Sequence, residues 1–176
     1  MRALLVAVVM CGSSVSLAAV GPAHPFGLGF QGGDPAGFSA KYWLDNDDAL
    51  QFALGWRPGV RFGRGYYSSA APLATIDWTH HFGRFGPRSK KVWFRIHVGA
   101  GAGMGYVSGG CYYDSFGPRY CSGDTAVAAI GRVPVGFSAY LAKVRFEFFA
   151  QIVPSWRLAP EPYPILMGSA GVRYYF

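Results

Sequence analysis

An all-β fold, an eight-stranded antiparallel transmembrane β-barrel, is what this sequence predicts, and three observations predict it. Apolar and polar residues alternate in segment after segment, at the period of two that a strand imposes on its side chains. The alternation runs to the last residue, Phe176. Although 51% of the 176 residues are hydrophobic and 17% aromatic, no run after the N-terminal segment approaches the about 20 apolar residues of a spanning helix.

The N-terminus sets the compartment. Met1-Arg2 is a short positive region, Ala3 to Met10 an unbroken apolar run, and Ser16-Leu17-Ala18 places small residues at the −3 and −1 positions of a cleavage site. This reads as a secretory signal peptide over 1–18, with 19–176 as one barrel domain in the cell outer membrane. Lipidation at Cys11 is the weaker alternative, because Met10 stands where a lipid-attachment site wants a small residue. Cleavage removes Arg2 and takes the formal net charge from +7 to +6. A basic balance can signify nucleic acid, but an exported strand-rich chain has little access to it. Outer-membrane lipid and lipopolysaccharide are the expected anionic neighbours.

The strands follow in order, separated by turn residues. The first, Phe26 to Gln31, sets Phe26, Leu28 and Phe30 on one face. After Gly32 to Gly37, the second, Phe38 to Leu44, puts Phe38, Ala40, Tyr42 and Leu44 outward against Ser39, Lys41 and Trp43. The turn Asp45-Asn46-Asp47-Asp48 leads to the third, Ala49 to Arg57, with Leu50, Phe52, Leu54 and Trp56 outward and Gln51 and Arg57 inward. Beyond a Gly/Tyr/Ser-rich loop, the fourth, Leu73 to Phe82, sets Ile76, Trp78 and His80 against Thr75, Asp77, Thr79 and His81. The fifth, Lys91 to Tyr106, has Phe94, Ile96, Val98 and Met104 outward, with Arg95, His97 and four glycines, Gly99, Gly101, Gly103 and Gly105, inward. The sixth, Ala126 to Leu141, sets Val133, Val135 and Phe137 against Arg132, Pro134, Gly136, Ser138 and Tyr140. A tight Ala142-Lys143 turn leads to the seventh, Val144 to Trp156, which turns Arg145, Glu147, Phe149 and Gln151 inward. The eighth, Ile165 to Phe176, holds Arg173 on its inner face.

Eight strands satisfy the even parity of bacterial single-chain barrels, and loop lengths agree with it. With both termini periplasmic, the long third and fifth connections are extracellular, and the even-numbered ones are turns. Tyr42, Trp56, Trp78, Tyr106, Trp156 and Tyr174 lie near strand ends, where amphipathic rings prefer the interface.

The final strand, with Val172, Tyr174 and Phe176 on its apolar face, resembles the terminal strand by which the outer-membrane barrel assembly machinery recognises its substrates. A second resemblance rests on Gly33-Asp34-Pro35-Ala36-Gly37-Phe38-Ser39-Ala40-Lys41-Tyr42-Trp43-Leu44 and the following Ala49 to Trp56. Together these resemble a family of small bacterial outer-membrane β-barrel proteins with a G-E-P-T-G-x-x-x-K-Y-W-L run and an A-x-x-F-x-x-G-W strand. Asp77-Trp78-Thr79-His80, Gly131 to Gly136 and Gly171 to Phe176 are similar as well. The chain departs from that pattern in Asp34, where the family often has Glu, and in its extended cysteine-bearing loop. The resemblance implies a barrel and little about activity.

Catalytic and cofactor signatures are weak. Gly99 to Gly105 fails as a nucleotide fingerprint, since the third glycine position holds Met104 and the repeat of two is a strand face. Adjacent His80 and His81 point to opposite faces and cannot chelate one metal together, although His81 and His97 could meet across neighbouring strands. A lipid A-modifying enzyme needs a histidine with a serine and a carboxylate, and His80 has Trp78 and Phe82 as its same-face neighbours. The expectation is a non-enzymatic protein with no cofactor and no metal.

The chemistry instead falls inside and on top. An eight-stranded interior is only wide enough to be filled by side chains. Here it receives Lys41, Arg57, Arg95, Arg132, Arg145 and Arg173 against Asp77 and Glu147. Buried charges need partners, so a closed lumen is expected, with Asp77 near Arg95 and Glu147 near Arg132 or Arg173; a narrow anion or water pore is the alternative. Outside, Cys111 and Cys121 are the two cysteines left after export, and one pairing is possible. Their disulfide would staple a loop carrying Tyr112, Tyr113, Phe116 and Tyr120, a composition suited to recognition of an extracellular ligand or host protein.

Overall fold

The computed structural model describes residues 25–57, 61–62, 66–67, 71–86, 92–107, 111–114, 117–121, 126–141, 143–159 and 162–176. The predicted signal peptide and Phe116 lie outside the described residues. In chain order the strands are β1 (Phe26–Gly33), β2 (Ala36–Trp43), β3 (Asp48–Arg57), β4 (Arg61–Phe62), β5 (Tyr66–Tyr67), β6 (Ala71–Phe85), β7 (Val92–Val107), β8 (Cys111–Asp114), β9 (Gly117–Cys121), β10 (Ala126–Arg132), β11 (Val135–Leu141), β12 (Phe146–Ala159) and β13 (Tyr163–Tyr175).

Nine of these segments form one antiparallel sheet, in which β10 and β11 both lie between β7 and β12. They are two halves of one strand, so nine segments make eight staves. The sheet closes on itself where β1 pairs with β13, from Gly27 opposite Tyr175 to Gly33 opposite Ser169. One rim carries the chain end and the β2–β3 and β11–β12 turns; the other carries the two-residue β1–β2 turn and the long connections.

The sixth strand, expected to be continuous, is split at Val133-Pro134. Proline has no N–H to give the ladder. The neighbours compensate: Val133 N–H donates to the Pro154 carbonyl at 2.9 Å, and Gly99 N–H donates to the Pro134 carbonyl at 2.9 Å. Register passes through the break unchanged, with Arg132 opposite Ser155 and Val135 opposite Ile152.

Alternation assigns the two faces as the sequence reading did. Outward side chains such as Phe30, Phe38, Leu54, Ile76, Ile96, Met104, Phe137, Ile152 and Leu166 are exposed, Leu166 by 71%. Lys41, Glu147 and Arg173, on the other face, are at most 1% exposed. A surface that leaves leucine and phenylalanine bare while burying lysine and glutamate is inverted relative to a soluble protein, and it suits a lipid exterior.

Inner-face glycines have a specific job. Gly101 lies opposite Asp77 on one side and opposite Arg132 on the other. A Cβ there would collide with the Asp77 carboxylate and the Ile76 carbonyl. The same three-strand arrangement recurs with Gly29 between Arg173 and Ser39, and with Gly136 between His97 and Gln151. In each row, a stave with no side chain lets its two neighbours meet over it.

Two long connections also pair with each other. β4, β5, β8 and β9 form a separate four-stranded sheet in that order, with Tyr66 opposite Tyr112. Nothing in the local sequence of either loop marks this pairing.

Gly101→Val is expected to destabilise the barrel by about 1–3 kcal/mol through overpacking against backbone. Gly103→Val, where the nearest atom is the Thr75 Cγ2 methyl at 3.2 Å, is expected to cost less. Urea unfolding of the refolded proteins in lipid vesicles measures both, and equal losses would remove the special role of Gly101.

Candidate functional site

The functional groups of this chain concentrate on the inner face, in layers. At the loop-side rim Arg57 Nε pairs with Asp34 Oδ2 at 3.0 Å. Burial raises the Asp34 carboxyl above its ordinary value, against the pull of Arg57. Below the rim, Leu73, Ile130, Val153, Ile165 and Met167 form an apolar layer. Next comes the Asp77–Arg132 pair, joined by Nε to Oδ1 at 2.9 Å and Nη2 to Oδ2 at 3.1 Å, a two-pronged contact across Gly101.

Further down, Glu147 is fully enclosed and accepts five hydrogen bonds. Lys41 Nζ, Ser138 Oγ and Tyr140 Oη donate to Oε1 at 2.9, 2.7 and 3.0 Å. Arg173 Nη1 and Tyr175 Oη donate to Oε2 at 3.3 and 2.5 Å. Arg173 also donates from Nε to Ser39 at 2.9 Å and from Nη2 to Gln51 at 3.0 Å. One carboxylate thus organises four staves.

The turn-side end is closed by an aromatic cluster of Trp43, Trp93, Tyr140 and Tyr175 with Ala49. Arg95, buried on the inner face of β7, clamps the turn between β2 and β3 here. It donates to the Asn46 carbonyl at 2.6 Å, to the His81 carbonyl at 3.0 Å, and to the Asp47 carboxylate. That turn is shaped by Asp45, whose Oδ1 accepts from the backbone N–H of Asp47 and Asp48 at 2.8 and 2.7 Å. These two bonds hold the Asp45 carboxyl below its ordinary value.

Of the expected charge network, Lys41, Asp77, Arg132, Glu147 and Arg173 are buried inside, and Glu147 has Arg173 as its partner. Two expectations are corrected. Asp77 pairs with Arg132 and not with Arg95: the adjacent arginine sits nearer the turn-side end and is taken by Asp47. Arg145 is exposed, in a turn that reaches from Lys143 to Arg145, and its φ of 57° marks the chain reversal. The seventh strand therefore starts at Phe146, and the two-residue turn expected at Ala142-Lys143 is too short.

Ser39, Ser138, Tyr140 and Tyr175 as ligands of the charges were missed by the sequence reading. Their inward parity was visible, but nothing in the sequence says which neighbour a hydroxyl meets.

On the outer face, His80 Nδ1 lies 2.8 Å from Asp48 Oδ1, between the rings of Trp78 and Phe82. No serine or threonine hydroxyl completes it into a nucleophile and base arrangement among the described residues. His81 and His97 do meet inside, with ring centroids 5.0 Å apart. No group of three or more His, Cys, Asp or Glu is gathered as a metal site among the described residues.

Val172, Tyr174 and Phe176 point outward at the closing edge, where Phe176 N–H donates to the Phe26 carbonyl at 3.0 Å and packs edge-on against Tyr174. Cys111 and Cys121 stand directly opposite each other on β8 and β9. No disulfide is present among the described residues, and the two cysteine side chains lie outside them, as do those of Tyr112, Tyr113 and Tyr120.

No protein-family model matches the chain, and no curated protein matches it. Solved structures do. The N-terminal β-barrel domain of OprF from Pseudomonas aeruginosa superposes with a TM-score of 0.53 at 19% identity, covering 86% of this chain and 95% of that one. The attachment invasion locus protein Ail of Yersinia pestis gives 0.41 at 16% identity, over 86% and 93% of the two chains. Its complex with the heparin analogue sucrose octasulfate gives 0.40 at 17% identity, over 86% and 94%. The OprF likeness shows the fold, an eight-staved outer-membrane type of barrel.

Because each carboxylate is buried with its cations, Asp77→Ala is expected to cost about 3–5 kcal/mol, the usual loss when a buried charge is stranded. Asp77→Ala and Arg132→Met should couple strongly in a double-mutant cycle, while Asp77→Ala and Arg95→Met should be additive within about 0.5 kcal/mol. Urea unfolding of the six proteins gives both couplings, and a strong Asp77–Arg95 term would overturn the pairing.

Proposed function

We propose that the chain is an integral outer-membrane barrel, exported by its signal peptide, with a closed ion-paired lumen, no catalytic activity, and a role carried by its surface. The observation that supports this best is the pairing of an exposed apolar exterior with an interior whose carboxylates, Asp77 and Glu147, are each saturated by side chains from other staves. Water-filled pores need a wider ring than eight strands give. Under this reading, the apolar exterior meets lipid and lipopolysaccharide. Val172, Tyr174 and Phe176 form the signal read by the barrel assembly machinery.

The second reading, recognition of an extracellular ligand, is favoured by the four-stranded sheet at the loop side, which sets Tyr112 between Tyr66 and Tyr120 in the backbone register. A Cys111–Cys121 disulfide belongs to the same reading. Directly opposed residues in an antiparallel pair have Cα atoms about 4.5–5.5 Å apart, inside the range of about 4.4–6.8 Å that a disulfide spans. Closing this ring contributes on the order of 3 kcal/mol of chain entropy to ordering the loop.

Fractionation of cells should place the protein in the outer membrane with a heat-dependent gel mobility, and deletion of Phe176 should lower the amount that arrives there. In planar bilayers the purified barrel should show no steady channel. Recovery in the soluble periplasm, or a large sustained conductance, would overturn the reading. Mass spectrometry of protein from unreduced cells should find Cys111 linked to Cys121, and two free thiols would remove the staple.

A further inference from the structure

The turn between β11 and β12 holds an arginine in a conformation that arginine does not favour. Val144 N–H donates to the Leu141 carbonyl at 3.2 Å, which closes a β-turn. Arg145 follows with φ 57°, and its carbonyl accepts from the Tyr175 N–H at 2.9 Å. A left-handed residue after such a turn is ordinarily glycine, or else asparagine or aspartate, because a Cβ is strained there. Among the described non-glycine residues, Arg145 alone has a positive φ. Lys143 and Arg145 are both exposed, and no hydrogen bond or ion pair ties either side chain to another described residue. An exposed cation thus stands where glycine would be less strained, which points to a use for the side chain outside the protein.

The surroundings say what the two cations can meet. One residue on, the Phe146 ring lies 5.3 Å from Tyr174, whose ring is 5.2 Å from Phe176. All three rings are exposed on the outer face. Rings of this kind sit where acyl chains give way to headgroups. Side-chain charge left over at this rim is of one sign. Asp45, Asp47 and Asp48 of the β2–β3 turn are engaged by backbone N–H groups, Arg95 and His80 respectively. The β6–β7 connection adds exposed Arg84, stacked 4.0 Å from the Trp93 ring. It also contributes the charges of Arg88, Lys90 and Lys91, which lie outside the described residues.

We propose that Lys143 and Arg145 form a headgroup site for an anionic phospholipid of the periplasmic leaflet, with Phe146, Tyr174 and Phe176 packing on its glycerol and upper acyl region. A planar guanidinium takes a phosphate through two parallel N–H donors, and the Lys143 ammonium adds a point charge beside it. The other rim cations raise the local concentration of anionic lipid without specifying a position. The site rests on the outer-membrane reading above, with the chain termini on the periplasmic side, and adds which lipid is held and by which residues.

The test uses the mature protein refolded into phosphatidylcholine vesicles that carry trace spin-labelled phosphatidylglycerol or phosphatidylcholine. Spin resonance reads the fraction of each label immobilised at the barrel. Phosphatidylglycerol should be preferred by about fivefold, and the preference should weaken as salt is raised. Lys143→Gln combined with Arg145→Gly should bring the two lipids to about parity. Glycine suits a φ of 57°, so Arg145→Gly should resist urea at least as well as the parent in pure phosphatidylcholine. A less stable Arg145→Gly would give the arginine a structural role and overturn the proposal. So would a preference that the parent lacks or that survives in the double variant. Retention on purified murein sacculi, lost in the double variant and accompanied by no lipid preference, would assign the turn to the cell wall instead. Failure to insert into vesicles, read as full protease sensitivity, would refute the barrel reading beneath the site; insertion without lipid preference would refute the headgroup site alone.

Discussion

Closing eight strands into a ring forces every inward side chain into a space with room for little else. That constraint governs the rest of this structure. A carboxylate facing such an interior needs partners, because leaving it bare costs free energy comparable to a lost hydrogen bond or more. Glu147, on β12, shows the consequence: its two oxygens collect donors from β2, β11 and β13. The carboxylate is thereby a cross-brace, tying together staves that the backbone ladder connects only to their neighbours.

The cross-braces depend on what is missing between them. Asp77 reaches Arg132 over Gly101, Arg173 reaches Ser39 over Gly29, and His97 approaches Gln151 over Gly136. A Cβ in the middle position would run into a backbone carbonyl of the neighbouring stave: Ile76 at Gly101, Val172 at Gly29 and Ala150 at Gly136. Glycine normally weakens a strand, and 25 glycines is a large share for a chain of this length. On the inner face that cost is offset by contacts that no other residue would permit.

The ends of the barrel are treated differently. At the loop side an ion pair, Arg57 with Asp34, sits above an apolar layer. At the turn side Arg95 pulls the β2–β3 turn inward over an aromatic cluster, with Arg84 stacked 4.0 Å from the Trp93 ring. Outside, Phe146, Tyr174 and Phe176 pack ring to ring beside the closing edge. Such rings suit a membrane interface, where one side is apolar and the other wet.

Alternation along the chain fixes the number of staves, the two faces and most of the buried charges, because a period of two admits a single inward set for each strand; Arg157, past the expected end of the seventh strand, is buried as well. Lys41, Asp77, Arg132, Glu147 and Arg173 were legible for that reason, and Arg145 was misplaced because it lies in the chain reversal before Phe146, with φ 57°, where strand parity does not apply. The tertiary structure alone decided who pairs with whom. Choosing Arg132 over Arg95 for Asp77 depends on the stagger between staves and on the vacant position at Gly101, which are properties of the closed ring. Likewise the pairing of β5 with β8 joins connections that are far apart in sequence, and no local pattern marks that meeting. Periodicity is a short-range property of the chain, whereas partnership across a barrel is set by register and closure, and these exist only once every strand is in place.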